Sequence, residues 1–298
     1  MLNSFRVCPQ RFFWEHGCGL RDPAPAVDLV AGGAFAAGRE ALYRAAHQGA
    51  DRTAALSAAQ ASFDRSWGDF ELLPDSKSPK TKQRTWEALV SYAETYSPPE
   101  DSIEPWSGES GELGFEWRFK IPLAPETTGT GPWPNHPETG QPFFYGGRCD
   151  AVGRLHGALP VVLDDKTTSR FESAAVWSAG LQMRAQLLGY VFSVQQLLDP
   201  TCDTALVRQT AIRSSGVEHR ESPLIQFSRF EIGRWLETTR QTLWALVRAA
   251  ESGQFPPVLG DACVSWGRLC EFAAPCRSAE PAAHLERFVE RRWDPLAV

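Results

Sequence analysis

The chain has 298 residues, a formal net charge of −6 at pH 7 and 43% hydrophobic residues. This composition is typical of a globular protein and excludes a disordered or fibrous chain, and the acidic balance excludes a broadly basic protein that coats nucleic acid. No run of about 18 apolar residues occurs, and the first residues lack the apolar core of a signal peptide. We therefore expect no membrane span and a cytoplasmic location.

Helical signals dominate the first hundred residues. Apolar spacing, alanine-rich stretches and bounding glycines and prolines predict helices over 4–16, 32–48, 53–67 and 83–96. A polar loop over 74–84, which carries several cations, separates the last two of these helices.

Strand signals follow after residue 100. Alternation of apolar and polar residues predicts strands over 112–123, 143–154, 160–166, 205–212 and 223–230. Prolines and glycines make 125–142 a loop. Apolar patterns predict two further helices, over 173–198 and 231–252.

Two acidic segments lie on neighbouring predicted strands, Gly147-Arg148-Cys149-Asp150 and Asp164-Asp165-Lys166-Thr167. On a strand, Asp164 and Lys166 share one face and Asp165 points to the other. If Leu155 to Leu159 form the connecting loop, Arg154 faces Pro160, and Asp150 lies opposite Asp164 at a Cβ separation of about 5 Å. A four-residue loop would instead pair Asp150 with Asp165.

Two carboxylates that lie so close require a proton or a divalent cation between them. Oxygen ligands of this type suit Mg²⁺ or Mn²⁺. Beside such a cation, Lys166 can position a nucleophilic water or offset charge on a phosphodiester transition state. Asp-x-Lys alone is common and is equally typical of an ordinary polar strand end, so this interpretation depends on the strand register.

The predicted helix over 173–198 carries Gln186 and Tyr190 at i and i+4, on one face and among apolar neighbours. A glutamine in such a setting requires a hydrogen-bond partner. The pair is either part of a partly exposed helix face or is directed at the carboxylates or a DNA phosphate.

Seven cysteines, an odd number without a secretion signal, argue against a disulfide framework. Cys263, Cys270 and Cys276 lie within fourteen residues, and Cys8 is the best remote candidate for a fourth ligand, followed by Cys18. Four thiolates can hold an iron–sulfur cluster, which we favour, or zinc. Free thiols are the remaining alternative.

Taken together and in this order, these motifs resemble the PD-(D/E)XK nuclease superfamily, and within it the RecB-like branch of phage exonucleases, CRISPR-associated spacer-acquisition nucleases and the AddB nuclease domain. The resemblance implies an α/β fold with a restriction-endonuclease-like core, in which helices flank a mixed central β-sheet. It also implies one nuclease domain over 1–298, with a mostly helical part over 1–100, the core over 110–255 and a cysteine segment over 256–298 that closes onto the N-terminus.

The resemblance assigns roles to individual residues. It makes Asp150, Asp164 and the carbonyl of Asp165 metal ligands and Lys166 the catalytic lysine. Gln186 and Tyr190 then support the positioning of the substrate or the metal. Glu112 resembles an acidic position that precedes the metal-binding strand in relatives. The iron–sulfur staple, a 4Fe–4S cluster, is assigned to Cys8, Cys263, Cys270 and Cys276.

Two features depart from the family pattern. In the cysteine segment, Gly267 stands where relatives often carry the first cysteine of a Cys-x-x-Cys, and Cys263 lies four residues earlier. The family helix Gly-x-x-x-His-x-x-x-Glu matches Gly32 to Glu40, and Ala36 stands where the metal-binding histidine is expected. One ligand of the metal is therefore missing. Glu40 is one turn further on and faces the same way, so it is a candidate replacement.

The leading functional hypothesis is a Mg²⁺- or Mn²⁺-dependent DNA exonuclease that acts on linear or single-stranded ends. Its candidate phosphate-contacting residues, which could equally form a solvated loop, are Lys77, Lys80, Lys82, Arg84 and Arg39. A second hypothesis, favoured by Ala36, is a catalytically impaired DNA-binding subunit. A third is a structural subunit of a recombination or helicase–nuclease complex, with a helicase or recombinase partner.

Overall fold

A computed structural model describes residues 2–23, 26–72, 76–98, 100–109, 112–265 and 268–291. Two residues of the predicted polar loop, 74 and 75, lie outside the described residues, as do 266, 267 and 292–298 of the predicted cysteine segment. None of the helices in the described ranges combines the length and the apolar character that crossing a bilayer requires.

Helices occupy most of the predicted helical regions. In chain order they are α1 (Leu2–Val7), α2 (Pro9–Phe12), α3 (Val27–His47), α4 (Arg52–Trp67), α5 (Lys82–Tyr96), α6 (Pro125–Thr128), α7 (Ala174–Gln182), α8 (Ala185–Leu197), α9 (Arg229–Ser252), α10 (Ala273–Arg277) and α11 (Pro281–Leu285). The single helix predicted over 173–198 is two helices, because the backbone at Arg184 is extended. The apolar pattern continues across this break, so the sequence showed no interruption.

The strands also follow the predictions, with one correction. They are β1 (Leu20–Arg21), β2 (Ile103–Pro105), β3 (Phe115–Pro122), β4 (Phe144–Leu155), β5 (Leu159–Thr168), β6 (Thr204–Arg213), β7 (Gly216–Glu221), β8 (Ile225–Gln226), β9 (Val264–Ser265), β10 (Arg268–Leu269) and β11 (Val289–Glu290). The strand predicted over 223–230 is present only in part, as the two-residue β8 (Ile225–Gln226), which pairs with β6. The hairpin partner of β6 is β7, reached through a two-residue turn at 214–215, and α9 already begins at Arg229.

Within the described ranges seven strands form the main sheet, in the order β2-β4-β5-β6-β7, with β3 paired to β4 and β8 paired to β6. β5 and β6 are parallel, while β4 with β5 and β6 with β7 are antiparallel. A parallel pair needs a crossover connection, and α7 and α8 provide it. The predicted α/β fold with a mixed central sheet flanked by helices is confirmed.

The register of the β4–β5 hairpin is the one that the acidic pair requires. Arg154 lies opposite Pro160, as predicted, and the ladder continues to Ala151 opposite Leu163. The loop is shorter than expected, because Leu155 and Leu159 still pair and the turn contains only residues 156–158.

Helices cover both faces of this sheet. On one face α3 and α5 pack against β5, β6 and β7, where Phe35 and Leu89 meet Leu163 and Leu206 in the main hydrophobic core. On the other face α8 packs against β5 and β6. Alternation along β5 therefore sends neighbouring side chains to helices on opposite sides of the sheet.

The chain divides into two compact units. The core unit is Ala26–Phe119 with Gly147–Ile232, and the terminal unit is Met1–Pro25, Lys120–Gly146 and Gly233–Val298. In the terminal unit β1 pairs with β11, and Trp14 packs on Phe272, so the N-terminal and cysteine segments lie together. The single nuclease domain stays a prediction.

Candidate active site

Asp164 and Lys166 form the centre of the site, on one face of β5 as predicted. The ammonium of Lys166 donates to Asp164 Oδ1 at 2.6 Å, and Asp164 is 0% exposed. Burial raises the pKa of Asp164 to about 7, although Lys166 opposes this shift. Burial alone would lower the pKa of Lys166, but the charges of Asp164 and Asp150 raise it above its usual value.

Asp150 lies next to this pair. The β4–β5 ladder ends one residue short of it, and Asp150 Oδ2 accepts a hydrogen bond from the backbone N–H of Asp165 at 2.7 Å. Its negative charge raises the pKa of Asp164 further. The predicted neighbourhood of the two carboxylates is therefore present, with Asp150 held at the end of the ladder by a bond to the β5 backbone.

Arg39 enters the site from α3 on the other side of the sheet and was predicted in a different role. Its guanidinium is 2% exposed and contacts the carboxylates of Asp165 and Glu116 and the backbone oxygen of Asp150, the last two at 3.0 Å. Burial would lower its pKa, but Asp165, Asp150 and Glu116 hold it well above the usual value. The structure thus places Arg39 inside the acidic cluster instead of on a phosphate-contacting surface.

Glu116 is the acidic residue that the sequence analysis missed. It is buried, and Arg148 Nε contacts its Oε2 at 2.8 Å. Strand alternation places Glu116 on the outer face, but its φ of 48° turns the side chain inward. Burial raises its pKa, while Arg39 lowers it. Glu112, which had been favoured by the resemblance, is exposed.

A second buried network of hydrogen bonds holds the carboxylate of Asp165, and the sequence analysis did not predict it. The Tyr92 hydroxyl donates to Asp165 Oδ1 at 3.1 Å, and Arg208 Nη1 donates to the Tyr92 oxygen at 3.3 Å. Arg208 in turn donates to both carboxylate oxygens of Asp101 at 2.6 Å. No local sequence pattern indicates this network, because the tyrosine, the arginine and their polar partners come from distant segments of the chain.

Gln186 and Tyr190 lie on one face of α8, as their spacing predicted. Gln186 Nε2 donates to the Tyr190 hydroxyl oxygen at 2.6 Å. Burial raises the pKa of Tyr190, and the charges of Asp164 and Asp150 raise it further, so the hydroxyl lies near both carboxylates. Gln186 itself is exposed, which leaves one end of the pair open to a ligand.

The five cations predicted to contact phosphate do not share one surface. Lys77 is exposed, and Lys82 pairs with Asp64 at 2.9 Å. Arg84 donates weakly to a backbone oxygen. Lys80 is 3% exposed and contacts Asp28 and the backbone oxygen of Thr167. Lys80 and Arg39 are thus buried inside the unit.

Ala36 lies on α3 one turn before Arg39. Glu40, the suggested replacement for the family histidine, pairs with Arg44 at 2.8 Å. It lies near Glu116, whose pKa it raises slightly, but a neighbouring cation on its own helix already neutralises it. Glu40 is therefore a weaker ligand candidate than Asp150 or Asp164.

The cysteines predicted to bind a cluster lie in the terminal unit, and all are free thiols. Burial raises the pKa of Cys276 to about 11, and the nearby thiols of Cys8, Cys270 and Cys263 add to the shift. The backbone N–H of Cys270 donates to the oxygen of Cys263 at 2.7 Å. Within the described ranges these four cysteines are not arranged to hold a metal ion, so the cluster stays a prediction.

No group of three or more His, Cys, Asp or Glu side chains within the described ranges is arranged to hold a metal ion. Magnesium nevertheless is usually bound by one or two carboxylates and keeps several waters. Asp164 Oδ2 is buried and accepts no hydrogen bond from any of the described residues, and a cation would satisfy this acceptor. Asp164 and Asp150 thus supply carboxylate oxygens of the kind that suits a hard divalent cation.

Comparison with known proteins decides the family. A family model of the PD-(D/E)XK nuclease superfamily matches residues 1–277. The chain belongs to this superfamily. Members of the superfamily are nucleases that typically use Mg²⁺ or Mn²⁺, so this chain is assigned to the metal-dependent nucleases.

The other comparisons add little to the superfamily assignment. None of the curated proteins compared with the chain matches it. The crystal structure of SSO0001 is 13% identical, covers 80% of this chain and 85% of its own, and superposes with a TM-score of 0.29, which is too low to support an inference.

Proposed function

We propose that this superfamily member is a Mg²⁺- or Mn²⁺-dependent deoxyribonuclease of the RecB-like branch, and an exonuclease that acts on linear or single-stranded DNA ends. One observation carries the nuclease proposal: the buried carboxylate of Asp164 has an unbonded oxygen beside Lys166 and Asp150. The exonuclease preference, the RecB-like branch and a cytoplasmic location are supported by the sequence motifs alone.

The residues of the site have separate tasks in this proposal. Asp150 and Asp164 would hold the cation, which when bound polarises the phosphodiester and acidifies a water. Lys166 donates one N–H to Asp164. Its other N–H groups can donate to a phosphoryl oxygen of the substrate and offset the negative charge that develops on that oxygen. The Tyr190 hydroxyl accepts from Gln186, so its own proton is free to donate to the substrate.

Arg39 gives the impaired-subunit alternative a structural basis. It is a fixed cation among Asp165, Glu116 and Asp150, and it neutralises part of the charge that would attract a metal ion. Together with Ala36 this arrangement favours a protein that binds DNA ends and cleaves them slowly, within a complex that also contains a helicase or recombinase.

The deciding experiment is digestion of end-labelled single- and double-stranded DNA in Mn²⁺. Lys166→Ala should reduce the cleavage rate at least about 100-fold, the usual effect of removing one donor to a developing oxyanion. Lys120→Ala, an exposed lysine of β3 that lies over the Phe144 ring, is the matched control and should leave the rate unchanged. Ala36→His should raise the rate by adding a ligand.

Metal binding is tested independently of cleavage. Mn²⁺ should raise the melting temperature of the protein, and Asp164→Asn should abolish that increase.

Two outcomes of the digestion assay would contradict the proposal. Unaltered cleavage by Lys166→Ala would show that the proposed active site is wrong. DNA binding without cleavage, even by Ala36→His, would favour the impaired-subunit alternative.

We also propose that Cys8, Cys263, Cys270 and Cys276 hold an iron–sulfur cluster of the 4Fe–4S type, with zinc as the alternative. The proposal is supported by the sequence pattern alone, with one cysteine before the nuclease core and three after it. Within the terminal unit such a centre would connect the N-terminal segment to the cysteine segment.

A further inference from the structure

A row of polar side chains crosses the sheet from the catalytic lysine. Lys166 on β5 lies opposite Gln209 on β6, and Gln209 lies opposite Arg220 on β7. Residues paired in this way point to the same face of a sheet, and each strand adds about 4.8 Å. Arg220 therefore lies roughly 10 Å from Lys166 along the sheet, on the face that carries Asp164.

The guanidinium of Arg220 is held in a fixed orientation. Its Cζ lies 3.9 Å from the centre of the Trp177 ring and 4.2 Å from that of Phe171. Nε and Nη2 donate to Gln209 Oε1 at 2.8 and 2.5 Å, and Nη1 donates to the backbone oxygen of Glu172 at 2.8 Å. Aromatic stacking and three hydrogen bonds leave this side chain little freedom to lose on binding.

The guanidinium of Arg220 has more N–H donors than these contacts use. An arginine has five N–H donors, so two remain after the three described bonds. The three bonds go to neutral oxygens, whereas the neighbouring Arg213 pairs with the carboxylate of Glu218 at 3.0 Å. Arg220 is only half-buried. A partly exposed, preorganised guanidinium whose hydrogen bonds go to neutral oxygens suits an anion with oxygen acceptors.

We propose that Arg220 binds a second phosphate of the substrate strand, next to the phosphodiester that is cleaved at Lys166. The inference rests on the proposed nuclease function, because Lys166 marks the position of the scissile phosphate. Phe171 and Trp177 are positioning residues that keep the guanidinium on the row, and Gln209 fixes its rotation. The competing interpretation is a purely structural clamp between β7 and the segment that precedes α7.

Salt-dependent DNA binding distinguishes the two. The probe is a fluorescein-labelled single-stranded DNA, titrated in EDTA so that cleavage does not interfere. Arg220→Gln should weaken binding roughly tenfold, as expected for a charge-assisted hydrogen bond. It should also reduce the slope of log K against log salt by about 0.7, which is the value for one phosphate contact on a single strand.

Two further variants sharpen the test. Arg154→Gln removes the same charge at the far end of β5's hairpin, where Arg154 pairs with Asp199, and should change neither affinity nor slope. Phe171→Ala loosens the guanidinium but keeps its charge, so affinity should fall while the slope stays that of the unmodified protein. A slope for Arg220→Gln equal to that of the Arg154→Gln control would overturn the proposal.

If Arg220→Gln does not fold, the DNA is changed instead. Single methylphosphonate linkages, which carry no charge, are placed one at a time along the strand. For the wild-type protein, one methylphosphonate linkage beside the scissile position should weaken DNA binding. The same linkage should weaken the binding of Arg220→Lys by a smaller factor. Equal losses for both proteins at every linkage would overturn the proposal. Because binding in EDTA needs no catalysis, this result is independent of whether Lys166→Ala abolishes cleavage.

Discussion

Replacement of Arg39 by methionine tests the central electrostatic feature of the site. The guanidinium is 2% exposed and compensates the charges of Asp165 and Glu116. Methionine keeps a similar length and helix propensity but leaves Asp165 without its ion-pair partner and Glu116 with Arg148 alone. Removing one partner of a buried ion pair costs about 3–5 kcal/mol, and we expect a loss of this size in the free energy of unfolding.

The loss should depend on pH with a defined sign. Burial already raises the pKa of Asp165 and of Glu116, and Arg39 opposes both shifts. Without Arg39 the folded-state pKa of each rises further above its unfolded value of about 4. The folded state then binds more protons than the unfolded state in the window above pH 4, so stability falls as the pH rises through it. The destabilisation of Arg39→Met should therefore be larger at pH 8 than at pH 5.

Urea titration followed by tryptophan fluorescence measures this directly, since the chain has 11 tryptophans. Arg44→Met is the matched control on the same helix, because Arg44 and Glu40 are only partly buried and such pairs contribute at most about 1 kcal/mol. Arg39→Met combined with Asp165→Asn should recover part of the stability. A loss below about 1 kcal/mol, or one that is the same at both pH values, would refute the reasoning.

Two further predictions concern packing and the cysteines. Gly38→Ala on α3 should destabilise the fold by about 1–3 kcal/mol, because an added Cβ would lie 3.2 Å from Phe63 Cβ, 3.3 Å from the Ala59 oxygen and closer still to Leu89. Gly33→Ala on the exposed side of the same helix should instead stabilise it by about 0.5–1 kcal/mol, and thermal melts that rank the two alike would contradict this. Protein purified without oxygen should be brown and absorb near roughly 400 nm, and lose this absorbance in Cys276→Ser. A colourless protein that binds zinc would show that the cysteines form a zinc site and hold no cluster.

Local pattern was sufficient for the face of β5 that carries Asp164 and Lys166, while it left two registers open for the β4–β5 hairpin. Alternation with a period of two places Asp164 and Lys166 on one face wherever β5 forms, and the short loop sets the register that brings Asp150 beside them. Gln186 and Tyr190 share a face of α8 for the same local reason. These are contacts over a few residues, which periodicity determines.

Long-range contacts decided the rest of the site. Arg39 reaches Asp165 across 126 positions of sequence, and Glu116 across 77, so no local signal indicated that a helix cation would be buried among carboxylates. The positive φ of Glu116 reversed the face that alternation predicted. The segment Gly216–Glu221 was not predicted as a strand. The sequence analysis therefore did not predict that Arg220 lies in line with Gln209 and Lys166 across the sheet.

The sequence by itself thus determined the face of β5 and the order of motifs that identify the superfamily, because strand face depends on spacing within one element. The structure decided between the two hairpin registers that the sequence left open. Only the tertiary structure decided which charges meet. Packing of α3 against β5, pairing of β3 with β4 and pairing of β7 with β6 bring together side chains far apart in the chain, and burial there makes each charge depend on its partners.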